Sequence, residues 1–148
     1  MGLDKIFPRH PHAIISPDVR WYPGSDSIGE KGRETLLPPL VNKIRKEVYD
    51  WREAGYPNIS EVSQSLLTYW FKTDHPNVFQ YYFAQRESVE SIIYLYEHEN
   101  IRNPSELLKY DSSGVLVDSV FEETWLRLVV KQATGTGKTK VLSLLMAW

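Results

Sequence analysis

The clearest pattern along the chain is an apolar stripe at helical spacing between residues 38 and 54. Its members recur three and four positions apart, at Leu37, Leu40, Val41, Ile44, Val48 and Trp51. Charged residues occupy most of the positions between them. Pro38 suits the first turn of a helix, and Gly55 suits a C-terminal cap. The pattern therefore predicts a helix from Pro38 to Ala54 with one buried face.

Three further helical segments follow. Ser60 to Phe71 carries an apolar face behind an N-cap serine, and Arg102 to Tyr110 is predicted to hold a short helix after Asn103-Pro104. Ala84 to Asn100 has an apolar stripe of its own, made by Val89, Ile92, Ile93 and Tyr96. We expect these apolar side chains to pack in the core rather than to form a binding or catalytic site.

A different pattern occupies the last part of the chain. Leu126 to Lys131 is a short β-branched and apolar run, which predicts a strand. Ala133 to Gly137 is small and contains two glycines, so it can turn tightly. From Lys138 onward the residues favour a helix. Strand, small-residue loop and a helix that opens on Gly-Lys-Thr are the parts of a phosphate-binding P-loop.

The residue types of this loop fit the chemistry of a nucleoside triphosphate. Backbone N–H groups at a helix N-terminus can donate to phosphate oxygens, and the helix dipole favours an anion there. Lys138 would place its ammonium between the β- and γ-phosphates, so it is the candidate catalytic residue. Thr139 would give its hydroxyl to Mg²⁺, which makes it the candidate metal ligand. The candidate nucleotide-binding residues of the loop are Thr134, Gly135, Thr136, Gly137, Lys138 and Thr139.

One position departs from the motif, which has the form G-x-x-x-x-G-K-[ST]. Gln132 stands where the motif has its first glycine. A glutamine there argues against kinases and small GTPases and is tolerated in helicase-type motors. The competing interpretation is a Gly/Thr turn that only joins a strand to a helix.

A second candidate stretch lies upstream, at Tyr81-Tyr82-Phe83-Ala84-Gln85-Arg86-Glu87. A glutamine amide can donate to and accept from adenine N6 and N7, and an aromatic ring can stack on the base. The alternative is that the tyrosines are core and Gln85 is only an early helix residue. From these residues alone the alternative is favoured.

Two blocks resemble one family. Phe83 to Glu90 (Phe-Ala-Gln-Arg-Glu-Ser-Val-Glu) and Ala133 to Thr139 (Ala-Thr-Gly-Thr-Gly-Lys-Thr) resemble the opening of the Res-subunit helicases of type III restriction endonucleases. These are superfamily 2 DEAD/DEAH-like translocases. Pro11 to Gly24 is similar to the leader of such proteins. The resemblance makes Gln85 the adenine-recognising residue of the Q-motif and the second block motif I.

The resemblance implies a RecA-like motor that hydrolyses ATP with Mg²⁺ to move along or open DNA. It also implies a modification (methyltransferase) subunit as a partner. Motifs II and VI and an endonuclease motif are not found in this sequence, so restriction is an inference from the family alone. An RNA motor is a further alternative.

The expected fold class is therefore α/β, with a helical region leading into the first strand, P-loop and helix of a RecA-like domain. We expect residues 1–80 to form a mostly helical accessory region and residues 81–148 to begin the motor domain. One strand cannot make a parallel sheet, so the chain is expected to be the N-terminal part of a longer protein. We expect it not to turn over ATP alone. The alternative function is a nucleotide-dependent interaction module with a vestigial P-loop.

Composition narrows these expectations only slightly. The 148 residues carry a net charge of −2, so any DNA contact requires a local basic patch. The absence of cysteine excludes disulfides and thiolate metal sites. No secretory signal and no apolar run of roughly 20 residues is found, so we expect a cytoplasmic protein without a membrane partner.

Overall fold

A computed structural model of the chain describes residues 40–73, 81–111, 116 and 125–148, without the side chain of residue 42. These residues belong to one compact unit, Pro38–Trp148. The segment from Pro11 to Gly24 and the start of the first predicted helix lie outside the described residues. The elements in chain order are α1 (Val41–Glu53), α2 (Glu61–Phe71), α3 (Phe83–Ile93), a π-helix (Tyr94–His98), a 3₁₀-helix (Pro104–Tyr110) and α4 (Lys138–Ala147).

The first predicted helix is confirmed as α1, and its end shows why glycine follows it. Gly55 adopts a left-handed conformation with φ of 88°. Its N–H donates to the Arg52 carbonyl at 3.1 Å, while the Tyr56 N–H donates to the Trp51 carbonyl at 3.1 Å. These two bonds form a Schellman motif. The Trp51 and Tyr56 rings meet edge to face at 4.9 Å, which seals the helix end with an apolar contact.

The second predicted helix is confirmed as α2. Ser60 is the N-cap, and its hydroxyl accepts a hydrogen bond from the Ser63 N–H at 3.2 Å. This bond satisfies one of the donors that a helix N-terminus leaves without a partner. The short helix predicted near residue 104 is also present, as the 3₁₀-helix behind Asn103.

The third predicted helix is formed, but its last turn differs from the prediction. Val89 and Ile93 are buried as expected, whereas Tyr96 is 44% exposed and Tyr94 and Leu95 are buried instead. The reason is the π-helix, since a turn of i→i+5 bonds changes the face that each later residue presents. The predicted burial of Tyr96 was therefore wrong.

The core lies around α3, which packs against α1, α2 and α4. Buried apolar side chains come from every one of these elements, among them Val48, Leu67, Val89, Ile93, Val141 and Leu144. The helices before and after residue 80 thus share one core. The expected division into an accessory region over residues 1–80 and the start of a motor domain over residues 81–148 stays a prediction.

The strand predicted over residues 126–131 is not formed. Leu126 and Leu128 pack against the core, whereas Val129, the residue after Leu128, is 83% exposed. A strand requires a hydrogen-bonded neighbour, and the described part of the chain contains no second extended segment paired with it. The described residues are accordingly helical and irregular, and the α/β class of the whole protein stays a prediction.

The helix after the loop is less buried than its composition suggests. Val141 and Leu144 face the core, but Leu142 is exposed and Met146 is 88% exposed. One face of α4 is therefore covered and the other is open. None of the helices within the described ranges has the length and apolar run needed to cross a membrane.

A buried carboxylate fixes α3 to α1. Glu90 is 0% exposed and is paired with the guanidinium of Arg52, whose Nε donates to it at 2.8 Å. Arg86 donates to the other carboxylate oxygen at 2.7 Å, and the Tyr56 hydroxyl donates to that oxygen at 2.5 Å. Burial raises the pKa of the Tyr56 phenol and the charge of Glu90 raises it further, so the phenol keeps its proton.

We expect Glu90→Gln to lower the free energy of unfolding by about 3 kcal/mol, because Arg52 would remain buried without its counter-charge. Urea unfolding followed by circular dichroism measures the change. Asp50→Asn is the matched control, since the Lys46–Asp50 pair is exposed and its loss costs about 0.5 kcal/mol or less. Equal losses for the two variants would contradict this role of Glu90.

Candidate functional site

The glycine-bearing loop contains two residues in the left-handed conformation before α4 begins. Gly135 has φ of 83° and Gly137 has φ of 78°, conformations that cost little only for glycine. Gly137 is the N-cap of α4, and its carbonyl accepts the Lys140 N–H at 2.9 Å. The first turn of α4 contains no acidic residue. Its positive dipole end is therefore available to an anion.

Gln85 of α3 reaches across to this loop. Its amide nitrogen donates to the Thr136 carbonyl at 3.1 Å and to the Gly137 carbonyl at 3.3 Å. Its amide oxygen accepts the Tyr82 N–H at 2.9 Å, which caps the start of α3. The side chain is 1% exposed. The two sequence blocks that carry the family resemblance are thus in direct contact.

Gln132 makes the reverse connection, from the loop to α3. Its amide nitrogen donates to the Ala84 carbonyl at 3.0 Å and to the Ser88 hydroxyl at 2.7 Å. Ser88 in turn donates to the Ala84 carbonyl at 2.6 Å. Glycine at position 132 would remove this bridge, so the residue that departs from the P-loop motif connects the loop to α3 in this chain. Sequence reasoning noted the residue but found no signal for its role.

Lys138 folds back over the start of the loop. Its ammonium donates to the Gln132 carbonyl at 2.9 Å and to the Ala133 carbonyl at 3.1 Å. The side chain is exposed, as are Thr134 and Thr139. An arriving phosphate would exchange neutral carbonyl partners of the ammonium for charged oxygens, which form stronger hydrogen bonds.

Two of the predicted site residues make contacts within the protein in this geometry. The Thr136 N–H points into the loop, where it donates to the Ala133 carbonyl at 3.4 Å, and the Thr136 hydroxyl donates to the same carbonyl at 2.7 Å. The N–H and the hydroxyl of Thr136 are therefore both engaged within the loop. Gln85 contacts the loop with the same amide atoms that were expected to meet adenine.

Aromatic side chains flank the loop on the side of α3. The ammonium of Lys140 lies 5.9 Å from the centre of the Tyr81 ring, which packs edge to face with Phe71 at 5.3 Å. Tyr82, whose N–H is held by Gln85, is exposed. Flat aromatic rings can accept the face of a nucleotide base.

The far end of α4 is anchored as well. The Trp148 indole N–H donates to the Ser63 hydroxyl at 2.7 Å and to the Glu97 carboxylate at 3.2 Å. Its ring meets Tyr96 edge to face at 5.8 Å. The π-helix that exposed Tyr96 thus gives this ring its partner. No periodicity in the sequence signals these contacts, because they join residues 51 to 85 positions apart.

An apolar groove of about 840 Å³ lies beside the start of the loop. It runs between α1, α3 and residues 128–132, and Gln132 forms part of its edge. At one side of the groove, Arg45 and Glu87 form an ion pair in which the Arg45 Nε lies 3.3 Å from a Glu87 carboxylate oxygen. The described ranges contain no cluster of three His, Asp or Glu side chains suited to a metal ion.

Comparison with known proteins adds no relative. No protein-family model matches the chain, and neither does a curated protein or a solved structure.

We expect Gly137→Ala to destabilise the protein more than Gly135→Ala. Both changes force alanine into a left-handed turn, at a cost of about 1 kcal/mol. A Cβ at Gly135 meets open space, whereas one at Gly137 overlaps the Gln85 amide and breaks its bonds to the loop, adding about 1–3 kcal/mol. Chemical unfolding of the two variants measures the difference. Identical losses would show that Gln85 does not hold the loop.

We expect the anchor of α4 to weaken in acid. Burial alone would raise the pKa of the Glu97 carboxyl, but hydrogen bonds from Ser63, the Ser60 N–H and Trp148 hold it below the ordinary value of 4.5. A lowered folded-state pKa stabilises the protein above the unfolded-state value, and this stabilisation is lost as the pH falls through the folded-state pKa. Wild type should melt about 3 °C above Glu97→Gln at neutral pH.

The test is thermal unfolding of both proteins between about pH 3 and about pH 7. The difference in melting temperature should be constant near neutrality and shrink toward the acid end. A difference that keeps its size across the range would contradict the assignment.

Proposed function

We propose that this chain binds ATP with Mg²⁺ through residues 132–139 and supplies the nucleotide-binding loop of an ATP-driven DNA helicase or translocase. The motor would be of the kind formed by the Res subunits of type III restriction enzymes, with a modification subunit as a partner. The observation that supports this most is the contact between Gln85 and the loop carbonyls of Thr136 and Gly137. It joins two blocks that are about 50 residues apart and that resemble the same family.

The loop offers the chemistry that a triphosphate needs. Lys138 would neutralise charge on the β- and γ-phosphates, and the exposed Thr139 hydroxyl would hold Mg²⁺. The open end of α4 adds its dipole. The DNA part of the proposal comes from the resemblance alone.

Hydrolysis also needs a group that orients the attacking water. Residues 125–148 contain no Asp or Glu. We therefore propose binding without turnover for this chain alone, with the water-orienting residue supplied from elsewhere in a motor.

A second candidate is a nucleotide-dependent interaction module. The observation that favours it is the open face of α4, where Leu142 and Met146 lie four residues apart and are both exposed. Residues at this spacing share one helix face, and exposed apolar faces mark contact sites. In this alternative the loop would control access of a partner to α4.

We expect Lys138→Ala to weaken binding of ATP–Mg²⁺ about 10- to 100-fold, because it removes a charged hydrogen-bond donor. Calorimetric titration measures the affinity. Lys46→Ala is the control, since Lys46 pairs with Asp50 on the exposed side of α1. Phosphate release should stay at background for all proteins.

Unchanged ATP affinity in Lys138→Ala would contradict the P-loop assignment and favour the interaction module. Steady phosphate release that Lys138→Ala abolishes would contradict binding without turnover.

A further inference from the structure

We propose that Gln132 is a positioning residue for ATP binding. Its side chain fixes the start of the loop on α3 before the nucleotide arrives, and the glycine of the P-loop motif would hold the loop less firmly in this chain. The inference rests on the proposed function, since it requires that ATP binds at residues 132–139. It gives a role to the residue at which the loop departs from the motif.

Both donors of the Gln132 amide are used on α3. An amide nitrogen carries two N–H groups, and that of Gln132 lies 3.0 Å from the Ala84 carbonyl and 2.7 Å from the Ser88 hydroxyl. Ser88 follows Ala84 by about one helical turn and donates to the same carbonyl at 2.6 Å. Gln132, Ser88 and Ala84 thus form one hydrogen-bonded bridge between the loop and α3.

The same residue also contacts the later part of the loop. Its carbonyl accepts a hydrogen bond from the Lys138 ammonium at 2.9 Å, and its amide oxygen lies 3.4 Å from the Thr136 hydroxyl. A shift of residue 132 away from α3 would therefore move groups that contact the middle of the loop and its lysine. Gln132 can influence the phosphate site through these contacts without touching the nucleotide.

The backbone at position 132 does not require glycine. Gln132 is not among the described residues that have a positive φ, in contrast to Gly135 and Gly137. Glycine is favoured where φ is positive or where the backbone must approach another group closely. At position 132 it would remove the bridge and add conformational freedom to the unbound loop, which ATP binding would then have to remove.

The bridge ends on a helix that is itself held in place. The buried Glu90 carboxylate ties α3 to α1 through Arg52, and Arg86 donates to the same carboxylate. Preorganisation is a property of the protein before its ligand arrives, and a loop that is already ordered loses less conformational entropy on binding. Loss of the bridge should therefore weaken ATP binding by the folded protein as well as lower its stability.

The experiment is a calorimetric titration of the full chain with ATP–Mg²⁺, at a temperature where thermal unfolding shows each variant to be folded. We expect Gln132→Ala to weaken binding about tenfold, because it removes both hydrogen bonds to α3. Gln132→Gly restores the motif and should weaken binding at least as much, because it also loosens the backbone. A purely structural role would lower the melting temperature and leave the affinity of the folded protein unchanged.

Ser88 tests the bridge from its other end. Ser88→Ala removes one acceptor and should weaken binding about threefold, whereas Ser88→Thr keeps the hydroxyl and should restore the affinity. The added methyl group has room, because Ser88 lines the apolar groove. Gln132→Ala combined with Ser88→Ala should bind no more weakly than Gln132→Ala, because the two side chains act through one bridge. The Ser88 variants leave the loop unchanged, so they decide the question even if Gln132→Ala does not fold.

Gln64→Ala is the matched control for the loss of a glutamine side chain. Gln64 is an exposed residue of α2 whose amide donates to the Gly55 carbonyl at 3.2 Å, at the end of α1 rather than at the loop. Its loss should leave the ATP affinity unchanged.

Wild-type affinity in Gln132→Ala and Ser88→Ala, with weaker binding in Lys138→Ala, would overturn the inference and leave the proposed function intact. Tighter binding by Gln132→Gly, or losses that add in the double variant, would also overturn it. If wild type does not bind ATP, the proposed function fails and the inference fails with it.

Discussion

The buried carboxylate of Glu90 is the constraint on which the site depends. A carboxylate excluded from water is tolerated only when cations and hydrogen-bond donors surround it, and Arg52, Arg86 and Tyr56 meet that requirement. Because these partners come from α1, its capping loop and α3, they fix α3 against α1. Gln85 stands five residues earlier on α3, so its reach to the loop is set by the same contacts. The position of the glycine-bearing loop is thus coupled to the ionic core.

The helix that follows the loop is held at both ends by side chains from distant parts of the chain. Gln85 and Gln132 cross between α3 and the loop at the N-terminal end, and Trp148 is fixed by Ser63 and Glu97 at the other. A phosphate arriving at Lys138 would therefore meet a loop whose backbone is already placed. Such preorganisation reduces the ordering cost of binding. Gln85 holds the loop by donating to the Thr136 and Gly137 carbonyls.

Much of the local structure could be predicted from particular residues. The apolar stripes marked α1 and α2, Gly55 marked the end of α1, and Ser60 marked the start of α2. Other features could not be predicted in this way. One of them is the π-helix, which changes the exposed face near Tyr96. It could not be predicted, because a single extra residue in a turn leaves no periodic signal in the sequence. The run over residues 126–131 has strand composition, but pairing depends on a neighbour that composition does not reveal.

The sequence by itself determined the candidate chemistry: two glycines that can turn left-handed, a lysine and a threonine at the start of a helix, and a glutamine in an aromatic stretch upstream. These are properties of residue types and short spacings, which fix local conformation and charge. Only the tertiary structure decided what those groups contact. It placed the Gln85 amide on the loop carbonyls, used Gln132 as a return bridge and turned the Thr136 N–H inward. Such contacts join residues about 50 positions apart, and they depend on how helices pack around a shared core rather than on any local preference.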